Sequence, residues 1–307
     1  MVTVHVERTS RRIRPSAALP AIAGRGLRSV PPPMLVLAGI VSVQIGAALA
    51  KGLFPIAGAI GVVTLRLGFA AVILLVAWRP SLRMIRRAWL VVIGYGSVLG
   101  VMNALFYEAI SRLPLGIAVT VEFLGPLAVA VGGSRRWRDG LWVLLAAGGV
   151  ALLTEGGGHI SWIGLLCALG AATCWACYIL LSAKLGAQTS GGSGLAIGMA
   201  IGALLILPLG VVESGAALVN PTALVAGLGV ALLSSVVPYS VELEALRRIP
   251  PRVFGVLMSL EPAVAALCGL VVLGQGLRPA QWIAICLVVG ASVGATRSGS
   301  PPVAAES

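Results

Sequence analysis

Apolar residues recur in long unbroken runs along this chain, with short polar or basic stretches between them. Most runs approach the roughly 20 residues that a helix needs to cross the hydrocarbon core of a bilayer. They lack the period-two alternation of strands in a membrane β-barrel. The pattern predicts ten transmembrane helices, over about residues 34–54, 56–78, 88–110, 115–133, 140–154, 161–182, 195–213, 222–245, 253–274 and 279–296.

The composition agrees with this pattern. Of the 307 residues, 58% are hydrophobic and only 10% are charged, and the mean hydropathy is +1.02. Soluble domains carry about 25% charged residues, because their surface must be solvated. The sequence therefore predicts an all-α integral membrane protein in contact with the lipid bilayer.

The basic residues that give the chain its net charge of +12 lie mainly in the short stretches between apolar runs, where signals of membrane topology occur. If the N-terminus is cytoplasmic, 18 of the 22 Lys and Arg residues fall on the cytoplasmic side, and only Arg112 and Arg278 fall in outer loops. This bias is a strong positive-inside signal, and it predicts that both termini are cytoplasmic. The sequence shows no basic face with interleaved aromatic residues, so nucleic-acid binding is not indicated.

The chain also repeats itself. Residues 107–114 (YEAISRLP) match residues 243–250 (LEALRRIP) at an offset of 136, and the same offset places Pro126 on Pro262. Ten helices then form two related halves of five, and an odd number inverts the second half, as in many secondary transporters. The predicted organisation is a basic cytoplasmic tail (1–32), a first five-helix repeat (33–155), a second, inverted repeat (156–296) and a cytoplasmic C-terminal tail (297–307).

Two carboxylates lie inside predicted spans. Glu122 is in the fourth span and Glu261 in the ninth, and Pro126 and Pro262 follow them closely. A charge at a helix centre costs roughly 2.5–3.5 kcal/mol on insertion scales, so it normally faces a cavity or a partner. The prolines are interpreted as helix breaks or hinges. We interpret the glutamates as part of a substrate or proton pathway; the alternative is that each is a buried, hydrogen-bonded structural group.

Other polar residues within the spans extend this candidate pathway. Arg66 lies deep in the second span, where a guanidinium suits a carboxylate of the protein or of a substrate. Lys51 is nearer the outer end and favours a structural role. Glu108, Glu242 and Glu244 lie near helix ends and are interpreted as interfacial. Pro238 is interpreted as a third helix break. The remaining candidates are polar and aromatic residues within the spans: Asn103, Tyr107, Trp175, Tyr178 and Tyr239.

Enzymatic chemistry finds little support in the sequence. It contains no HExxH, GxSxG or Walker A motif, and it has only two histidines. The pair Cys174 and Cys177 forms a C-x-x-C that is interpreted as small packing residues within a helix. The sequence therefore predicts no enzyme, no cofactor and no metal site. Without a nucleotide site, an ion gradient must drive transport, and a buried Glu makes protons the candidate ion.

Several long stretches resemble the drug/metabolite transporter superfamily, with two EamA-type repeats. They include GAALAKGLFP (46–55), PLGIAVTVEFLGPLAVA (114–130), CALGAATCWACYIL (167–180) and FGVLMSLEPAVAA (254–266), and the resemblance extends over about residues 39–282. One position departs from the family pattern. Gln275 follows Leu273 and Gly274 where a glutamate is usual, so no role of that glutamate carries over.

The resemblance implies a ten-helix inverted-repeat transporter that exports small solutes by proton exchange in a bacterial inner membrane. The resemblance is greatest to members that export threonine and homoserine. A small amino acid and protons are therefore the expected partners. The protein is expected to be a monomer or a homodimer. Two alternatives remain open. One is an exporter of lipophilic cationic drugs or other metabolites, and the other is a non-transporting membrane sensor or assembly component.

Overall fold

The computed structural model of the protein describes residues 30–80, 89–132, 139–155, 161–186, 192–246 and 248–298. Most of both predicted tails, residues 1–29 and 299–307, lies outside the described residues. So do several of the predicted basic loop residues, including Arg83 and Arg136.

Helices make up most of the described chain, which contains no β-strand in those ranges. In chain order they are α1 Pro32–Trp78, α2 Trp89–Arg112, α3 Leu115–Glu122, α4 Leu124–Gly132, α5 Asp139–Glu155, α6 Trp162–Gly186, α7 Ser193–Ser214, α8 Pro221–Ala231, α9 Val237–Leu246, α10 Pro251–Met258, α11 Glu261–Leu273 and α12 Pro279–Ser298. A 3₁₀ turn, Gly215–Val219, follows α7, and a π-helical turn, Leu232–Val236, joins α8 to α9.

The exterior is suited to lipid. Eight helical stretches are long and apolar enough to cross a membrane, and α5 adds a shorter apolar stretch, Gly140–Leu152. Large apolar side chains face outward, such as Val212 (87% exposed) and Val271 (80% exposed). A soluble monomer rarely exposes so much apolar surface. The predicted all-helical membrane fold is therefore confirmed.

The first helix folds back on itself. Gly58 has φ 65° and ψ 171°, a conformation outside the helical region that glycine adopts at no steric cost. Gly46 packs directly against Ser234, and Arg66 donates to the carbonyl of the same Ser234. A straight helix would separate residues 46 and 66 by about 30 Å. The sequence analysis ended the first span at about residue 54 and began the second at about residue 56, whereas the helix continues through Pro55 and reverses at Gly58.

Small residues allow the closest helix contacts, as the G-x-x-x-G spacing in the sequence suggests. On α2, Gly96 and Gly100 pack against Gly198 and Gly202 of α7, and a Cβ on Gly100 would lie 2.9 Å from the Cα of Gly202. These glycines let the two backbones approach, and they are packing residues rather than a site.

The two halves share a broken helix. The short helices α3 and α10 each have eight residues, and their bounds differ by the offset of 136. Pro114 precedes α3 with φ −56° and ψ 141°, and Pro250 precedes α10 with φ −58° and ψ 142°. Each short helix is followed by a break, at Phe123 and at Ser259, before α4 and α11 continue. The repeat in the sequence thus corresponds to a repeated backbone geometry.

Candidate functional site

A cavity of about 960 Å³ is lined by residues from both halves of the chain. This volume lies at the upper end of the range for small-molecule sites, about 300–1,000 Å³. Nine of the residues predicted as pathway or hinge positions line it: Arg66, Asn103, Glu122, Pro126, Trp175, Tyr178, Pro238, Tyr239 and Glu261. The predicted residues Lys51, Tyr107 and Pro262 are not part of its lining.

The two intramembrane glutamates lie at the two helix breaks. Glu122 is the last residue of α3, and Glu261 is the first residue of α11. Both are buried, at 8% exposure. A helix N-terminus stabilises negative charge and a helix C-terminus opposes it. Each glutamate, however, lies between the end of one helix and the start of the next, because α4 begins two residues after Glu122 and α10 ends three residues before Glu261, so both influences act on both carboxyl groups.

A third carboxylate, Glu242, also lines the cavity, and the sequence analysis misplaced it at the interface. Glu242 is on α9, four residues after Pro238 and three after Tyr239, so all three lie on one helical face. This spacing was the signal that could have placed it in the cavity. Its carboxylate also approaches Gly39 of α1.

The other two glutamates near helix ends pair with arginines outside the cavity. Glu108 forms an i,i+4 ion pair with Arg112, and Glu244 forms one with Arg248. The two pairs are again related by the offset of 136. They are repeated structural contacts of the two halves.

Arg66 is held at the cavity wall by several partners. Its Nη2 donates to the carbonyl of Ser234 at 2.9 Å, and its other nitrogens donate to Ser235 Oγ and Tyr107 OH, each at 3.3 Å. The guanidinium carbon also lies 5.4 Å from the centre of the Tyr107 ring. Among the described residues, no carboxylate forms an ion pair with Arg66. A guanidinium held in this way can accept the carboxylate of a solute.

Pro238 leaves a backbone carbonyl without its helical donor, so this carbonyl can accept a hydrogen bond from Arg66. Proline has no N–H, so it cannot bond to the carbonyl of Ser234 four residues earlier. The preceding turn is π-helical, with Val237 N donating to Leu232 O five residues back. Arg66 bonds to Ser234 O, and Ser42 Oγ donates to Leu233 O at 2.7 Å. The carbonyls released near Pro238 are therefore bound by side chains of α1.

Gln44 is a cavity residue that the sequence analysis missed. It is 1% exposed, and its Nε2 donates to Oε1 of Glu261 at 3.1 Å. A single uncharged glutamine in an apolar run is an ordinary occurrence, and its partner is 217 residues away. No local pattern reports a contact at that separation.

Aromatic rings complete the wall. Trp175 packs edge-on against Phe123, at the break after α3, with ring centres 5.6 Å apart. Tyr178 stacks on Tyr95 at 5.0 Å. Asn103 donates from Nδ2 to Leu99 O, four residues earlier on α2, which leaves its Oδ1 for other donors. The cavity thus combines apolar and aromatic surface with a few charged groups, as sites for small amphipathic solutes do.

Comparisons with known proteins identify the family of the chain. The model of the EamA-like transporter family matches residues 162–297. The threonine/homoserine exporters RhtA of Escherichia coli (strain K12) and Salmonella typhimurium (strain SL1344) are each 45% identical. They cover 88% and 86% of this chain, which spans 94% and 91% of their own lengths. The chain belongs to the EamA-like transporter family.

This family is part of the drug/metabolite transporter superfamily, so the predicted resemblance is confirmed. The chain is a multi-pass membrane transporter and not an enzyme. The uncharacterized transporter YwfM of Bacillus subtilis (strain 168) is 27% identical over 75% of this chain and 81% of that protein. A solved crystal structure with 19% identity has a TM-score of 0.58, covers 87% of this chain and 98% of its own, and shares the fold.

In this EamA-like transporter, Lys51 and Gln275 each bind a backbone group at the junction between α2 and α3, outside the cavity lining. Lys51 Nζ donates to Leu113 O at 2.7 Å, and Gln275 Oε1 accepts from Leu115 N at 2.9 Å. The first contact satisfies a carbonyl at the end of α2, and the second satisfies an amide at the start of α3. Gln275, which departs from the family pattern, therefore binds a helix N-terminus.

Proposed function

We propose that this transporter exports small amino acids of the threonine and homoserine type across the cytoplasmic membrane, by alternating access and in exchange for protons. The observation that carries the proposal is 45% identity, over most of the chain, to relatives named threonine/homoserine exporters. The cavity supports it chemically, because a zwitterion needs both a cationic and an anionic partner. Arg66 suits the carboxylate, and the glutamates suit the ammonium group.

Ten transmembrane segments are part of the proposal. The eight long apolar stretches include α1, which folds back at Gly58 and is long enough for two spans of about 20 residues. The shorter apolar helix α5 supplies one more. Five spans in each half then invert the second half, with residues 33–155 and 156–296 as the two repeats and the substrate site between them.

The cavity supports an inward-facing state. Its lining extends to residues near the ends of helices that lead toward the predicted cytoplasmic loops and tail: Ala130, Ser182, Leu246, Phe254 and Thr296. On the opposite side, Lys51 and Gln275 bind the α2–α3 junction. With both termini cytoplasmic, the solute enters from the cytoplasm, and release outward requires those outer contacts to open.

Proton exchange is assigned to Glu122. The carboxyl group is buried in the cavity wall at the break after α3, and no described residue donates a hydrogen bond to it. A buried carboxyl in that position gains most from taking up a proton or a cation. Glu122 would release its proton in one access state and regain it in the other, which couples solute movement to the proton gradient.

Export of lipophilic cations is the second candidate. Among the described lining residues, three carboxyl groups (Glu122, Glu242 and Glu261) share the cavity with one guanidinium, that of Arg66, and most of the lining is apolar. An excess of acidic groups in an apolar cavity is also suited to a lipophilic cation. The guanidinium distinguishes the candidates, because it offers a partner for a carboxylate that such drugs lack.

Counterflow of radiolabelled threonine in proteoliposomes, with and without an imposed proton gradient, tests the proposal. We expect uptake that homoserine competes for and that changes with the gradient. Folded protein that carries a lipophilic cation, and carries no threonine under either condition, would establish the second candidate in place of the first.

A further inference from the structure

A contact between Gln44 and Glu261 joins the two halves of the transporter inside the cavity. Gln44 lies in the part of α1 that precedes the turn at Gly58, and Glu261 is the first residue of α11. The amide Nε2 of Gln44 donates to one carboxylate oxygen, Oε1, at 3.1 Å. The contact therefore holds the carboxylate in place while leaving the amide oxygen and the second carboxylate oxygen for other donors.

These two oxygens lack donors in the part of the chain that the structure describes. Gln44 Oε1 and Glu261 Oε2 are buried atoms without a hydrogen-bond partner there, and both residues line the cavity. A buried acceptor without a donor costs free energy, and such atoms in native proteins point to a missing partner. Two acceptors on one hydrogen-bonded pair of side chains, one of them a carboxylate oxygen, are suited to a cation that carries several N–H groups.

The excess of acceptors extends to the π-helical turn. Ser234 Oγ is 3% exposed, is also without a partner among the described residues, and belongs to the cavity lining. It packs against Gly46, two residues from Gln44 on α1. By contrast, Arg66 provides the positive charge among the described lining residues, and its bonds to Ser234 O and Ser235 Oγ place it beside the same turn.

We infer that Gln44 and Glu261 together bind the primary ammonium group of the exported solute. The inference rests on the proposed function, from which it takes an amino acid as the solute. An ammonium group of the –NH₃⁺ type has three N–H donors, enough to bond to both oxygens at once. A quaternary ammonium has none. Gln44 is therefore a specificity residue that favours primary amines over quaternary cations of equal charge.

Binding to the purified full-length chain in detergent, measured by isothermal titration calorimetry, tests this pairing with three probes. L-Threonine carries both charged groups, L-threoninol keeps the ammonium group and lacks the carboxylate, and 3-hydroxybutanoate lacks the ammonium group. We expect Gln44→Leu to weaken threonine and threoninol binding about tenfold or more, the effect of losing one hydrogen bond to a charged group. Binding of 3-hydroxybutanoate is expected to stay unchanged.

Gln281→Leu is the matched control, because Gln281 is a buried glutamine on α12 outside the cavity lining that bonds to Arg278 N. It should bind all three probes as the wild type does. If Gln44→Leu does not fold, Glu261→Gln carries the test, since it keeps the shape of the side chain and removes its charge. That variant is expected to bind threonine and threoninol more weakly and to bind 3-hydroxybutanoate as the wild type does.

Results of two kinds would overturn the inference. One is unchanged binding of threonine and threoninol by the variants, or equal weakening of all three probes. The other is a wild-type protein that binds no primary ammonium probe. If threoninol binds in a manner that depends on Gln44 while threonine is not exported, the ammonium site stands and the proposed substrate fails.

Discussion

The broken helix α3–α4 of the first half and the broken helix α10–α11 of the second half have nearly the same backbone and different chemistry. Both begin after a proline, run for eight residues and break at positions related by 136. The carboxylate, however, ends the short helix in the first half and begins the long helix in the second. The duplicated backbone has been kept, while the charge lies on opposite sides of the break.

This difference gives the two glutamates different tasks in one cavity. Glu122 lines the cavity and accepts no hydrogen bond from the described residues, which suits a group that gains and loses a proton. Gln44 donates to the Glu261 carboxylate and holds it in place, which suits a fixed partner for an ammonium group. The divergence of the repeats thus separates proton exchange from solute binding.

Moving the first carboxylate to the matching place in the second half would test whether position relative to the break decides its task. Met258 corresponds to Glu122 by the offset, and it lines the cavity. We expect Glu122→Gln to lower gradient-driven threonine export by about 100-fold, the effect of losing a positioned proton-transfer group. Adding Met258→Glu should restore part of that flux in proteoliposomes. No rescue, with both proteins folded, would show that the helix end alone does not define the role.

Packing at Gly125 explains why the first half has no carboxylate at the position that matches Glu261. It corresponds to Glu261, but a Cβ on Gly125 would lie only 2.2 Å from the carbonyl oxygen of Ala172 on α6. No side chain fits there without moving one of the helices. We expect Gly125→Ala to destabilise the protein by about 3 kcal/mol, at the upper end of overpacking effects.

Thermal unfolding in detergent measures that loss, with Gly132→Ala as the control because a Cβ there would meet no atom within 4 Å. Equal stability of the two variants would mean that packing does not forbid a side chain at the position of Gly125.

Much of this arrangement could be predicted from the sequence because it depends on local composition. Glu122 and Glu261 stand out as charges in apolar runs, and both line the cavity. The offset of 136 predicted the repeated helix, since prolines and ion-paired residues mark the same places twice. Arg66 was likewise a candidate, although its partners are a backbone carbonyl, two hydroxyl groups and an aromatic ring.

The remainder depends on contacts that no local pattern contains. Gln44 meets Glu261 across 217 residues, and the turn of α1 falls at Gly58, whose backbone conformation favours glycine, rather than at the predicted boundary near residue 55. Glu242 was misplaced because nearness to a helix end was given more weight than its helical face. The partners of Lys51 and Gln275 are backbone groups, which carry no sequence signature.

Glu122→Gln and Glu261→Gln, compared in proteoliposomes for threonine exchange without a gradient and for export driven by a proton gradient, test the central claim most directly. Glu108→Gln, whose carboxylate pairs with Arg112 outside the cavity, is the control and should behave as the wild type. The account predicts that Glu122→Gln keeps exchange and loses the response to the gradient, while Glu261→Gln loses both. The same loss pattern in the two variants, or a gradient response that survives in Glu122→Gln, would contradict the separate roles of the two carboxylates.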